Sequence, residues 1–518
     1  MNEQEKSRTE YSAYNTTVAV ISRLIAILLG FVTRVVFTHT LSESYVGVNG
    51  LFSDILNVLA LSELGVGTAI TYALYQPIAE GNIEKQKSLM RVYCWFYRIV
   101  AAVVLTAGLC LIPFLDVLIK NQPDIEYLTL IYVLYLLNSV LSYLLIYKKT
   151  LIDAHQMSYI GTMNQTIFLI IQDVVQMIVL VTTHNFILFL CIYLICTLGG
   201  NLRISRRADK MYPYLRDKEV QSLGKEERAD IFRNIRAMFM HKLSSVLVNN
   251  TDNLLISSLI GIVSVGIYSN YYLVIGSVRQ VLDQMFQGIT ASVGNLGVTE
   301  DSGRIRKIFN ACFFIGQWLY GVAAICLYEL INPFVQISFG ENYLFPSRVV
   351  LVLCVNFYVN GMRKASLVFR DSMGLFWYDR YKAVPEALIN LAVSILLGLR
   401  LGVIGVFLGT FVSMAATSVW VEPYVLYKHR LNTPVRYYFA RYALYTAVLA
   451  AAWLLTDGLC SRISGGVVTV LILRFFVCAA VPNGILLLVY CRTKDFRFLV
   501  EKAGGLLEKR RGERRIGS

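Results

Sequence analysis

The sequence predicts an all-α polytopic membrane protein of about fourteen transmembrane helices, arranged as two pseudo-symmetric six-helix lobes plus a C-terminal helix pair. Three observations lead there. The first is composition: of 518 residues, 56% are hydrophobic and only 16% charged, where soluble domains carry about 25% charged residues, and the mean hydropathy is +0.56. The second is spacing. The apolar residues come in blocks of about 20–28 between short polar breaks, and a bilayer core takes about 20 helical residues to cross. The third is an internal similarity between the two sides of the longest hydrophilic break.

Taken in order, the expected spans lie near 15–37, 46–75, 88–111, 127–147, 158–181, 185–203, 238–261, 266–296, 308–331, 345–369, 381–400, 402–427, 437–456 and 467–491. The first block is preceded by a polar stretch and followed by no small-residue cleavage site, so it reads as an uncleaved anchor. The domain plan is an N-terminal lobe at 1–203, a basic linker at 204–236, a second lobe at 237–430, an additional pair at 431–491 and a basic tail at 492–518. Lys85, Lys87, Lys148, Lys149, Arg304, Arg306, Lys307, Arg370, Arg380, Lys382, Lys428 and Arg430 fall on one side with that tail. The opposite side offers Lys120, Arg348, Arg400 and Arg462. By the positive-inside rule both termini are expected in the cytoplasm of a multi-pass plasma-membrane protein.

The net charge of +14 is thus an orientation signal, and no basic-aromatic module for nucleic acid accompanies it. Eight of the ten cysteines lie within apolar blocks and read as packing residues. The five histidines sit at different helix ends without metal spacing, and no Walker motif appears. The chain therefore reads as a non-enzyme with no cofactor or metal. A coupling ion of unknown identity is the one co-substrate left open.

A shift of 219 residues overlays the first two spans on the seventh and eighth without a gap. Ser22-Arg23-Leu24 meets His241-Lys242-Leu243, Gly30 meets Asn249, and Arg34 meets Asn253. At the corner, Val46-Gly47-Val48 meets Val265-Gly266-Ile267, and a related corner recurs at Val403-Ile404-Gly405-Val406. Two repeats in the same orientation are a common way to build a transporter with a site at their interface.

The first span carries Arg23 and Arg34, although a charge near the bilayer centre costs roughly 2.5–3.5 kcal/mol. Their spacing is close to three helical turns, so both point one way, roughly 16 Å apart. Asp54 and Glu63, nine residues apart in the second span, lie on opposite faces and are read as structural ion pairs or coupling groups, as is Asp173 with Gln172 and Gln176. The seventh span holds Asn249, Asn250, Asp252 and Asn253; the eighth holds Arg279 and Asp283 at i, i+4, a pair able to neutralise itself. Arg98 and Arg474 complete the intramembrane ions, Arg474 in the terminal pair outside both lobes.

The run Tyr45-Val46-Gly47-Val48-Asn49-Gly50-Leu51-Phe52, then Leu61-Ser62-Glu63-Leu64-Gly65-Val66-Gly67 and Tyr72-Ala73-Leu74-Tyr75-Gln76-Pro77, resembles the opening of Wzx-type polysaccharide repeat-unit flippases. These belong to the multidrug/oligosaccharidyl-lipid/polysaccharide exporter superfamily. The resemblance extends over nearly the whole chain. It implies a two-lobed inner-membrane protein that moves an undecaprenyl-diphosphate-linked oligosaccharide between leaflets, in the company of membrane lipids, glycosyltransferases and a glycan polymerase. For such a cargo Arg23, Arg34 and Lys242 are candidate partners of the diphosphate, and Arg98, Arg279 and Asp283 are further candidate substrate-binding residues. Asn249, Asn250, Asp252 and Asn253 are candidates for sugar hydroxyls or a cation. Each has a structural alternative: snorkelling, which suits Arg34 near the outer end of its span, ion pairing, or helix–helix hydrogen bonding. A lipid II flippase shares the diphosphate and stays open as an alternative. A cation-coupled drug exporter would favour an acid in the first span, where this chain has arginines. A membrane glycan enzyme would need a larger outer loop than residues 332–346 provide.

Overall fold

The computed structural model describes residues 8–59, 66–119, 125–217, 224, 251–287, 293, 301–375, 378–379 and 381–501. Among them every regular element is helical, as hydrocarbon demands of a spanning segment that must satisfy its own backbone. Nine described helices are long and apolar enough to cross a membrane. A tenth is gained if Leu128–Tyr143 and Tyr147–Ala154, bent by 40°, form one span.

The remaining expected spans have local reasons to read differently. The second falls on Glu43–Leu59 and Val66–Ala79, and the seventh reaches the described residues only as Asp252–Leu259. The eighth, Ile262–Gln287, carries Asn270, Arg279, Gln280, Asp283 and Gln284 among its apolar residues. The tenth divides at Arg363 into Ser347–Met362 and Lys364–Ser372.

The chain forms two compact units, Met1–Ser269 and Asn270–Ser518. In the first, Arg8–Thr40 packs along Ser158–Thr183, which pairs with Phe186–Met211. Asn15 fixes the entry by donating to the Gln156 carbonyl at 2.8 Å and accepting from Tyr159 N at 2.9 Å. The bend after Tyr143 frees helix-end carbonyls, which need partners where water is scarce. Asn201 Nδ2 supplies them, reaching Leu141 O at 3.0 Å and Leu144 O at 3.2 Å.

In the second unit Ser302–Phe339 is the interior helix: 61% of its most apolar window is buried, against 6% for Thr17–Thr40. Asp301 caps it, accepting from Gly303 N at 3.0 Å. Ser347–Met362, Arg436–Cys460 and Val467–Tyr490 pack around it. Phe309 and Phe313 lie within ring contact of Tyr438, and Phe309 also meets Phe369 and Tyr427.

The 219-residue offset extends beyond the residues that reveal it in sequence. Helices begin at Glu43 and Ile262, at Ile83 and Ser302, and at Leu128 and Ser347. Within the first unit the two matched corners also touch. A Cβ on Gly47 would run into the Ile262 carbonyl, and one on Gly266 would lie 2.5 Å from the Glu43 carbonyl. Each glycine thus faces the other repeat's first helical residue, a self-complementary contact that only a missing side chain permits.

Candidate functional site

Polar groups inside a helical bundle must be partnered or wet, since an unmet charge there is expensive. In the first unit Asp54 accepts from Asn253 Nδ2 at 2.7 Å and from Asn57. Asn253 stands in the first turn of Asp252–Leu259, beside the half-buried Asp252. Buried polar atoms are left over here: Asn253 Oδ1 and Thr251 Oγ1 have no partner. The knot is thus a carboxylate held by amides, with spare oxygens.

Arg34 is half-buried, and its charge acts on Tyr135, whose hydroxyl donates to Asn49 Oδ1 at the corner. Three turns earlier Arg23 is exposed, and among the described residues no acid forms a salt bridge with it. Between them, a Cβ on Gly30 would meet nothing within 4 Å, so the stripe is open. Arg98 is exposed and acts on Tyr147. Asp173 is buried between Ser158–Thr183 and Phe186–Met211, where its charge acts on Tyr193 and Cys196. Nearby Gln176 donates to the Phe189 carbonyl at 2.9 Å. Glu63, Lys242, Asn249 and Asn250 lie outside the described residues.

In the second unit Asp283 pairs with Lys364 at 2.7 Å and accepts from the Tyr320 hydroxyl. Arg279, one turn away, acts on Tyr320 while its own Nε is buried without a partner. The i, i+4 pair therefore does not close on itself; the acid is taken by another helix. Arg474 reaches Glu329 at 3.7 Å, which ties the terminal pair to the interior helix.

A denser set was not singled out in the sequence. Glu422, fully buried, accepts from Arg363 Nη2 at 2.7 Å and Nε at 3.1 Å, and is contacted by Lys382. Arg370 lies 4.0 Å from Glu422, 2.6 Å from Asp371, and in contact with Asp379. Glu386 accepts from Ser418 at 2.6 Å and faces Arg363 at 3.8 Å. The forked Arg363–Glu422 contact is the arrangement that makes a desolvated ion pair stable. Arg370 and Lys382, orientation charges by their place in the loops, are both consumed by this cluster. The available signal is a cation, Arg363, in one apolar block and an acid in each of the next two, Glu386 and Glu422.

The described side chains thus offer two kinds of polarity: cations and an acid–amide knot with spare capacity, and ion pairs consumed by the fold. Nothing in either performs covalent chemistry. The first kind can bind a cargo.

These features define a polytopic helical membrane transporter. Similarity to known proteins narrows the class. Residues 12–288 match the family model described as "Polysaccharide biosynthesis protein", and the chain belongs to that family. No curated protein sequence matches it. Its fold is similar to that of the lipid II flippase MurJ in an inward closed conformation, with TM-score 0.64 and 15% identity over 91% of this chain and 98% of that one. It is also similar to an inward-facing multidrug resistance MATE family transporter of the MOP superfamily, at TM-score 0.55 and 13% identity over 77% and 94%. The Vibrio cholerae MATE transporter VcmN in the bent form follows at 0.50 and 13% over 81% and 98%.

Proposed function

We propose that this protein is a flippase that carries a polyprenyl-diphosphate-linked oligosaccharide repeat unit across the bacterial plasma membrane by alternating access. The observation that carries the reading is the open cationic stripe of the first helix, with Arg23 exposed and unbridged by any described acid, in a chain of the polysaccharide biosynthesis family. A diphosphate needs cations that the fold has not already consumed, and the planar guanidinium forks onto phosphate oxygens in pairs. The amide-rich knot at Asp54 and Asn253 supplies the hydrogen-bonding character that sugar hydroxyls or a coupling ion require. Lys242, at the repeat-equivalent position to Arg23, is assigned the second cation. The basic loops put both termini in the cytoplasm.

Complementation of a repeat-unit flippase-deficient strain tests this, with membrane protein levels matched. Arg23→Gln should abolish complementation, Arg23→Lys should retain part of it, and the double variant Arg23→Gln, Lys242→Gln should be inactive. Full activity of the double variant sinks the reading. A lipid II flippase is the second reading, favoured by the shared diphosphate chemistry. Rescue of a strain depleted of its lipid II flippase, without rescue of repeat-unit export, would replace the first reading with the second.

A further inference from the structure

On the basic side of the second unit, a cavity of about 520 Å³ opens where Ser302–Phe339 and Arg436–Cys460 begin. Its polar lining is Arg306, Asn310, Tyr427, Thr433, Tyr437 and Arg441. Both guanidinium groups line the cavity beside the Tyr427 hydroxyl, and the charge of each acts on it. Only Arg441 is answered by an acid, Asp495 at 2.8 Å; Arg306 is exposed, and no described acid forms a salt bridge with it. A donor is left over: the buried Thr433 hydroxyl has no partner among the described residues. Two arginines line the one cavity and only one of them is answered by an acid, so the site keeps excess positive charge for a phosphodiester anion.

We propose that this cavity binds the phosphate of an anionic phospholipid from the surrounding leaflet. The surface that leads away from it selects a lipid over a free phosphate. Tyr437, Ala440 and Leu444 lie three and four residues apart on one helical stripe, and all three are exposed. They continue from the arginines along a spanning helix, a track for an acyl chain beneath a seated head group. Aromatic–cation pairs flank the cavity, Arg436 over Tyr437 at 5.4 Å and Lys307 over Phe498 at 4.6 Å, as at a membrane–water boundary. The site involves none of the residues assigned to the cargo, so it stands or falls separately from the flippase reading.

Native mass spectrometry of the full-length protein in detergent, titrated with phosphatidylglycerol or phosphatidylcholine, tests it. The wild type should retain phosphatidylglycerol preferentially, and Arg306→Gln should weaken that retention about tenfold. Because no described acid bridges Arg306, this variant should fold normally; Arg306→Lys should recover part of the binding. Asp495→Asn, which removes the competing acid, should tighten it. Equal retention of both lipids, or no change in Arg306→Gln, overturns the proposal. So does displacement of the lipid by millimolar inorganic phosphate, which would mark a site for free phosphate.

Discussion

Arg23 in the first unit and Arg363 in the second are the same side chain in apolar surroundings, with opposite fates. Arg363 forks onto Glu422, and Glu422 also holds Lys382. Arg23 stands exposed on its helix without a described acid bridged to it. The difference lies in what each charge is for. A buried pair can be replaced by apolar residues with little loss, but breaking it by removing one partner leaves an orphan charge. An exposed cation gives the fold little, and its retention in a span needs an external partner. Paired ions record how this protein is held together. Ions left over are the ones that the proposed function assigns to a cargo.

That contrast is sharpened most by removing the central acid. Glu422→Gln should destabilise the protein by about 3–5 kcal/mol, since Arg363 and Lys382 lose their shared counter-charge together. Denaturant unfolding of the purified protein in detergent reads this directly. A loss below about 1 kcal/mol, the range of exposed pairs, would show the cluster to be solvated. The first-unit knot should respond less. Asp54→Ala strands the Asn253 amide and should lower stability by about 1–3 kcal/mol, read in the same unfolding experiment. The smallest effect is expected at Arg23→Gln, within about 0.5 kcal/mol of wild type, alongside the loss of transport. Should Arg23→Gln unfold the protein as Glu422→Gln does, the division between structural and functional cations would fail.

Much of the fold was legible in the residues. Apolar block length gave the helical, polytopic class, and nine described helices meet the membrane-spanning test. The 219-residue offset, seen first in one pair of corners, recurs in the helix starts at Ile83 and Ser302 and at Leu128 and Ser347. Partner choice was less legible. Asp54, read from the sequence as an ion-pair or coupling group, is held by the amides of Asn253 and Asn57. Asp283 bonds to Lys364, some twenty turns of helix away in sequence, in place of its near neighbour Arg279.

By itself the sequence determined helix, membrane and repeat, because those follow from hydrophobicity and spacing along the chain, which are local properties. It also marked Arg23 and Arg34 as out of place, since a charge in an apolar run is visible without a fold. What only tertiary structure decided is which charges are already satisfied. Glu422 lies inside a helix while Arg363 and Lys382 stand at the ends of others, and all three meet although they are distant in the chain; a Coulomb interaction depends on spatial distance and on burial, neither of which is written in the order of residues.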